Sequence, residues 1–143
     1  MLAIGSDHAG YALKCEVKKF LDELKVEYID CGCDGERADY PDIAEKTCAK
    51  ITSGECDKGI LICGTGIGMS LAANKVKGAY AALISDVYSA ERARKSNDAN
   101  IACFGAFTLG VKLMEKLACV FLEEEFEPGC PSQAKVDCIR KYE

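Results

Sequence analysis

The stretch Gly59–Asn74, GILICGTGIGMSLAAN, limits the possible fold more than any other part of the chain. Ile60, Leu61 and Ile62 form a short apolar run of the kind that makes a strand covered on both faces. Cys63 ends the run, and Gly64-Thr65-Gly66-Ile67-Gly68 follows at once. Met69 to Val76 has helical spacing, with Met69, Ala72, Ala73 and Val76 on one side. A thiol thus stands at the carboxyl end of a strand, and three glycines open a helix. Glycines there let backbone N–H groups turn inward and approach a ligand closely. The helix start adds a partial positive charge. The arrangement suits a phosphate or an oxyanion that forms during a reaction, and it favours a thiolate at Cys63.

Two common nucleotide loops do not fit. No Gly-Lys-Ser/Thr follows at Walker spacing, and the third glycine of the dinucleotide pattern would fall on Met69. The blander readings are a tight strand-to-helix turn and a cysteine used as a small core residue.

The rest of the chain repeats the strand–helix rhythm. Leu2–Gly5 reads as a strand, followed by Ser6-Asp7-His8-Ala9-Gly10. Leu13, Val17, Phe20, Leu21 and Leu24 mark a helix over Tyr11–Lys25 that leaves Cys15 off its apolar stripe. Val26–Cys31 reads as a strand and Gly32–Asp42 as a polar loop. Asp42 is expected to cap a helix over Ile43–Ser53, which Gly54 stops. Ala79–Ile84 is the fourth strand, and Ser85 or Asp86 caps a helix to Lys95. Ile101–Phe104 is the fifth. Leu109, Leu113, Leu117, Val120 and Phe121 line a long helix, with Glu123–Glu125 as its solvated end. After Pro128-Gly129, a last helix covers Ser132–Tyr142. Alternation with short connections predicts a parallel sheet with helices on both faces and an extra C-terminal helix. The sequence shows no repeat or linker, so residues 1–143 are expected to form one domain. Ligands of such folds bind beyond the carboxyl ends of the strands.

Composition narrows the partners. The net charge of −5 and the lack of a basic run argue against nucleic acid. No apolar stretch approaches membrane-spanning length and no signal peptide opens the chain, so a cytoplasmic protein is expected. The ten cysteines include no C-x-x-C pair, and the single histidine, His8, excludes Cys₂His₂ zinc sites. They read as reduced thiols at small-residue positions. No metal site is expected.

Four segments carry a resemblance. Gly5-Ser6-Asp7-His8, Asp39-Tyr40-Pro41-Asp42, the run from Cys63 to Lys75, and Asn97-Asp98-Ala99-Asn100 recur in this order in type B ribose-5-phosphate isomerases. Galactose-6-phosphate isomerase subunits share parts of the pattern. The resemblance spans nearly the whole chain. It implies a Rossmann-like, flavodoxin-like three-layer sandwich on a five-stranded parallel sheet. It further implies a homodimer or homotetramer with sites at an interface, a sugar-phosphate substrate, and no cofactor. Cys63 matches the base that moves a proton through a cis-enediolate, with the Gly64, Gly66, Ile67 and Gly68 amides around the developing charge. Thr65 matches the residue that serves the reacting oxygens. Asp7, His8, Tyr40 and Asn97 match residues that hold the sugar, and Lys135 keeps one charge of the phosphate clamp. For His8 alone, without the resemblance, a surface histidine was the simpler reading.

The chain departs from that pattern in four places. Ser96 stands where a ring-opening histidine is usual. Phe107 replaces an arginine, and Cys130 or Pro131 and Lys135 replace two phosphate-gripping arginines. A lysine binds phosphate as a point charge, without the guanidinium fork. The expected reaction is ribose 5-phosphate to ribulose 5-phosphate. The alternatives are isomerisation of galactose 6-phosphate or another aldose, a non-catalytic sugar-phosphate-binding subunit, and a flavodoxin-like nucleotide or flavin module.

Overall fold

A computed structural model describes all 143 residues. Five strands and six helices follow in order: β1 (Leu2–Ser6), α1 (Tyr11–Glu23), β2 (Tyr28–Asp30), α2 (Tyr40–Thr52), β3 (Lys58–Cys63), α3 (Ile67–Ala73), β4 (Ala81–Leu83), α4 (Val87–Lys95), β5 (Ile101–Gly105), α5 (Val111–Glu123) and α6 (Gln133–Arg140). All strand pairs are parallel, in the order β2-β1-β3-β5-β4. The three-layer sandwich is the expected one. The flavodoxin order, 2-1-3-4-5, differs in its last two strands: here β5 lies beside β3 and β4 takes the edge. The change of direction at β1 and β3 opens a crevice at their carboxyl ends, where Asp7 and Cys63 lie.

β3 is continuously apolar because both of its faces are covered. Ile60 and Ile62 join Leu2, Ile4, Ala102 and Phe104 under α1, α4 and α5. Leu61 and Cys63 join Ala3, Ile101 and Cys103 under α2 and α3. The buried stripe of α5 is Met114, Leu117, Ala118 and Phe121, turned slightly from the expected one, so Leu113 is exposed.

Several boundaries move for local reasons. α2 starts at Tyr40, because Pro41 sits in its first turn, where a missing N–H costs nothing. Asp42 is therefore inside the helix rather than its cap. Asp86 does cap α4, accepting from the Ser89 amide at 2.7 Å. α3 begins at Ile67 and stops at Ala73. The Asn74 amide then pairs with both the N–H and the C=O of Ala81, each at 2.8 Å, along the outer edge of β4. The acidic run after α5 is not simply solvated: Glu125 pairs with Lys58 and Arg94. Cys15 is half-buried. All ten cysteines are free thiols, and Cys33, Cys48, Cys56, Cys63 and Cys103 are buried.

One buried cation shapes the loop that reaches the site. Lys14 of α1 is fully enclosed. Its Nζ donates to Asp30 Oδ1 at 2.7 Å and to the Cys33 carbonyl at 2.5 Å. Asp30 also accepts from Lys18 at 2.8 Å and from the Gly32 amide at 2.9 Å. This knot fixes the start of the segment that runs from β2 to Tyr40. Burial raises the Asp30 pKa, but the two ammonium groups and the amide outweigh it and leave the group below its ordinary value. A depressed carboxylate stabilises the fold above its unfolded pKa and loses that contribution as pH falls through the folded value. Stability is therefore expected to drop on acidification below about pH 4. Lys14→Ala should cost about 2–4 kcal/mol in urea unfolding and flatten that acid dependence.

Candidate active site

The turn after β3 lies flat on β5. Gly66 has φ +80°, and a Cβ there would stand 2.7 Å from Leu83 and 3.0 Å from the Phe104 carbonyl carbon. The Ala106 and Phe107 amides donate to the carbonyls of Cys63 and Gly64 at 2.8 and 2.9 Å. Held this way, the Gly66 N–H points at Cys63 Sγ, 3.1 Å away. The Thr65 hydroxyl accepts from the Ile67 amide at 3.2 Å. The amides of Gly64, Thr65, Gly68 and Met69 make no hydrogen bond within the protein. Several unpaired backbone donors therefore lie close to the strand end that carries the sulfur.

Two neighbouring thiols lack this environment. Burial pushes Cys48 up to about 11, and burial with the adjacent Cys63 pushes Cys103 far above the ordinary thiol range. Both are neutral, inert core groups at neutral pH. Cys63 alone combines a backbone donor on its sulfur with a position at the crevice.

The expected site residues fall into two groups. Asp7 follows β1, is buried, and accepts from the Gly10 amide at 3.0 Å at the start of α1. His8 is exposed. Its Nδ1 lies 3.0 Å from the Ala38 carbonyl and 3.4 Å from the Ala38 amide, which fixes the ring against the loop before α2. The Tyr40 ring covers Gly68, where a Cβ would approach it to 2.7 Å. Asp7, His8, Tyr40, Cys63 and Thr65 thus gather on the carboxyl ends of β1 and β3. The Phe107 ring lies over Gly64, 2.8 Å from a would-be Cβ, and is 77% exposed.

Asn97 and Lys135 are not part of this gathering. Asn97 precedes β5 and faces a cleft with Asn74, Tyr80 and Ile139. Lys135 is exposed on α6, which Arg140 ties to Asp98. Cys63 is level with Gly105 at the other end of β5. Five residues at about 3.3 Å each put roughly 16 Å between the two ends.

Two details add to the sequence reading. The Gly66 amide donates to the Cys63 sulfur and the Ile67 amide to the Thr65 hydroxyl. The Met69 amide is free, and no side-chain pattern could have marked it. No three His, Cys, Asp or Glu side chains stand together as a metal site. No helix is long and apolar enough to cross a membrane.

Comparison with known proteins agrees with this architecture. The sequence model of the Ribose/Galactose Isomerase family matches residues 2–139. The chain belongs to that family. It is an isomerase. It is 47% identical to the ribose-5-P isomerase B of Listeria innocua over 99% of this chain and 96% of that one. It is 42% identical to a D-erythrulose-4-phosphate isomerase of Pectobacterium atrosepticum over 99% of this chain and 94% of that one. The ribose-5-phosphate isomerase B structure of Clostridium thermocellum superposes with a TM-score of 0.95 at 43% identity, covering 99% of this chain and 95% of that one.

Gly66→Ala tests the turn in this isomerase. The left-handed backbone costs about 1–2 kcal/mol with a Cβ, and the contacts with Leu83 and Phe104 add to it. The variant should keep its far-ultraviolet circular dichroism but lose the Gly66 donor on Cys63. Alkylation of Cys63, followed by peptide mapping, should slow.

Proposed function

We propose that this chain interconverts ribose 5-phosphate and ribulose 5-phosphate through a cis-enediolate. The observation that carries the proposal is the Gly66 N–H on Cys63 Sγ beside four unpaired backbone amides. As a thiolate, Cys63 removes the proton from carbon two of the aldose and returns it to carbon one. Negative charge develops on the adjoining oxygen, where the Gly64, Thr65, Gly68 and Met69 amides are ready without reorganisation. Such fixed donors commonly supply the largest part of a rate enhancement. The Thr65 hydroxyl moves a proton between the two reacting oxygens. Asp7 accepts from sugar hydroxyls, Tyr40 closes one side, and the exposed His8 ring is placed for the sugar or its phosphate.

Asn97 and Lys135 take part from a second copy. Within one chain they lie on the far end of the sheet, so one copy's Cys63 end meets the other copy's Asn97 end. A twofold pairing makes two equal sites in this way. Homodimer is the minimum assembly this requires.

One observation favours a second reading, a shorter substrate. The similar protein from Pectobacterium atrosepticum is named for a four-carbon ketose phosphate. The Phe107 ring also lies over Gly64, where the usual arginine would leave a longer, polar side chain. Comparing four-, five- and six-carbon aldose phosphates separates these substrates.

Cys63→Ala should abolish turnover while substrate still binds. Exchange of solvent deuterium into the sugar, followed by proton magnetic resonance, should stop with it. Retained exchange removes Cys63 from the role. Asn97→Ala should also be nearly inactive. Mixing Cys63→Ala and Asn97→Ala chains after mild unfolding should restore roughly a quarter of the activity, because half of randomly paired dimers hold one intact site of two. No recovery would mean that each site is built from one chain.

A further inference from the structure

A second polar cleft, of about 450 Å³, lies at the Asn97 end of the molecule. Arg92, Lys95 and Ser96 line it from α4, and Cys130, Pro131 and Ser132 line it from the segment leading into α6. Arg92 and Ser96 are four residues apart, so they share one face of α4 and its end. The cleft therefore opens next to Asn97.

Arg92 is the unusual group. Its Nε is fully enclosed and has no hydrogen-bond partner. The nearest carboxylate oxygen, on Glu91, is 3.9 Å away, beyond hydrogen-bond distance. The side chain as a whole is 37% exposed, so its terminal nitrogens are accessible from the cleft. An enclosed guanidinium N–H without an acceptor is costly, and this one is not held by a partner within the protein. The other charges in the cleft are mostly committed. Lys95 pairs with Glu124 at 3.2 Å, and Glu125 is taken by Lys58 and Arg94. Glu127 is the one lining acid without an ion pair. The start of α6 adds the positive end of its dipole.

We propose that Arg92 is the principal anchor for the phosphate of the substrate, gripping it in this cleft with support from Ser132. The proposal rests on the shared-site reading above, in which one copy's Asn97 end completes the other copy's Cys63 end. A guanidinium bonds two phosphate oxygens at once, which a lone Lys135 ammonium does not. The chain would thus hold its phosphate from α4, where the C-terminal segment offers Cys130 and Pro131.

Two measurements test this. The first compares ribose 5-phosphate with free ribose. Arg92→Ala should lower kcat/KM for the phosphate ester about ten- to a hundredfold, mainly through KM. The value for the free sugar should change less than about twofold. Arg92→Lys should recover part of the loss. Equal losses on both sugars, or none, overturn the proposal. The second titrates inorganic phosphate into the inactive Cys63→Ala protein. Arg92→Ala in that background should weaken phosphate binding about tenfold, and Glu127→Gln should tighten it about twofold. Unchanged phosphate affinity in the Arg92 variant overturns the cleft whatever the substrate is. If the unmodified enzyme does not turn over ribose 5-phosphate while phosphate binding still depends on Arg92, the ribose 5-phosphate reading fails and the anion site stands.

Discussion

The structure turns on the close approach of two backbone segments. The β3–α3 turn rests directly on β5, and no Cβ fits between them. At Gly105 a Cβ would stand 2.7 Å from the Thr65 carbonyl, and at Gly66 it would stand 3.0 Å from the Phe104 carbonyl carbon. This contact aims the Gly66 N–H at Cys63 and leaves the neighbouring amides without a partner in the protein. It also accounts for the strand order. β3 and β5 must be adjacent for the turn to lie on β5, so β4 is displaced to the edge.

Buried cations hold the rest in place. Lys14 and Asp30 secure the segment that carries Ala38 to His8 and Tyr40 to Gly68. At the other end of the sheet, Lys58 donates to the carbonyls of Leu122 and Glu124 and to Glu125. Arg94 donates to the carbonyls of Glu124 and Ala99 and to Asp98. These contacts cap the last turn of α5, where carbonyls lack helical partners and cations are favoured. Each buried ammonium or guanidinium has several acceptors, as the low-dielectric interior requires. The bare Arg92 Nε stands out against that background.

The sequence disclosed much of this, because the signals were local. The apolar run at Ile60–Ile62, the glycines that follow and the stripe of α1 depend on residues within one or two turns of each other. Cys63 could be singled out because its neighbours in sequence are its neighbours in space. Strand order was not legible, since pairing β5 with β3 depends on a fit between segments some forty residues apart. Lys14 was not legible either. It lies beside the stripe formed by Leu13, Val17 and Leu21, and its acceptor Asp30 comes after the next turn. The division of site residues between two ends of the sheet followed from placing Asn97 before β5. Its chemical meaning needed the distance along the strand.

Asn74 has a consequence beyond the site. β4 is a three-residue edge strand, and an open edge exposes N–H and C=O groups that another chain can extend. The Asn74 side-chain amide occupies that place on Ala81, with the same donor and acceptor a sixth strand would bring. The sheet is thus closed by a side chain rather than by a further strand. A substitution at Asn74 would uncover a template for edge-to-edge aggregation.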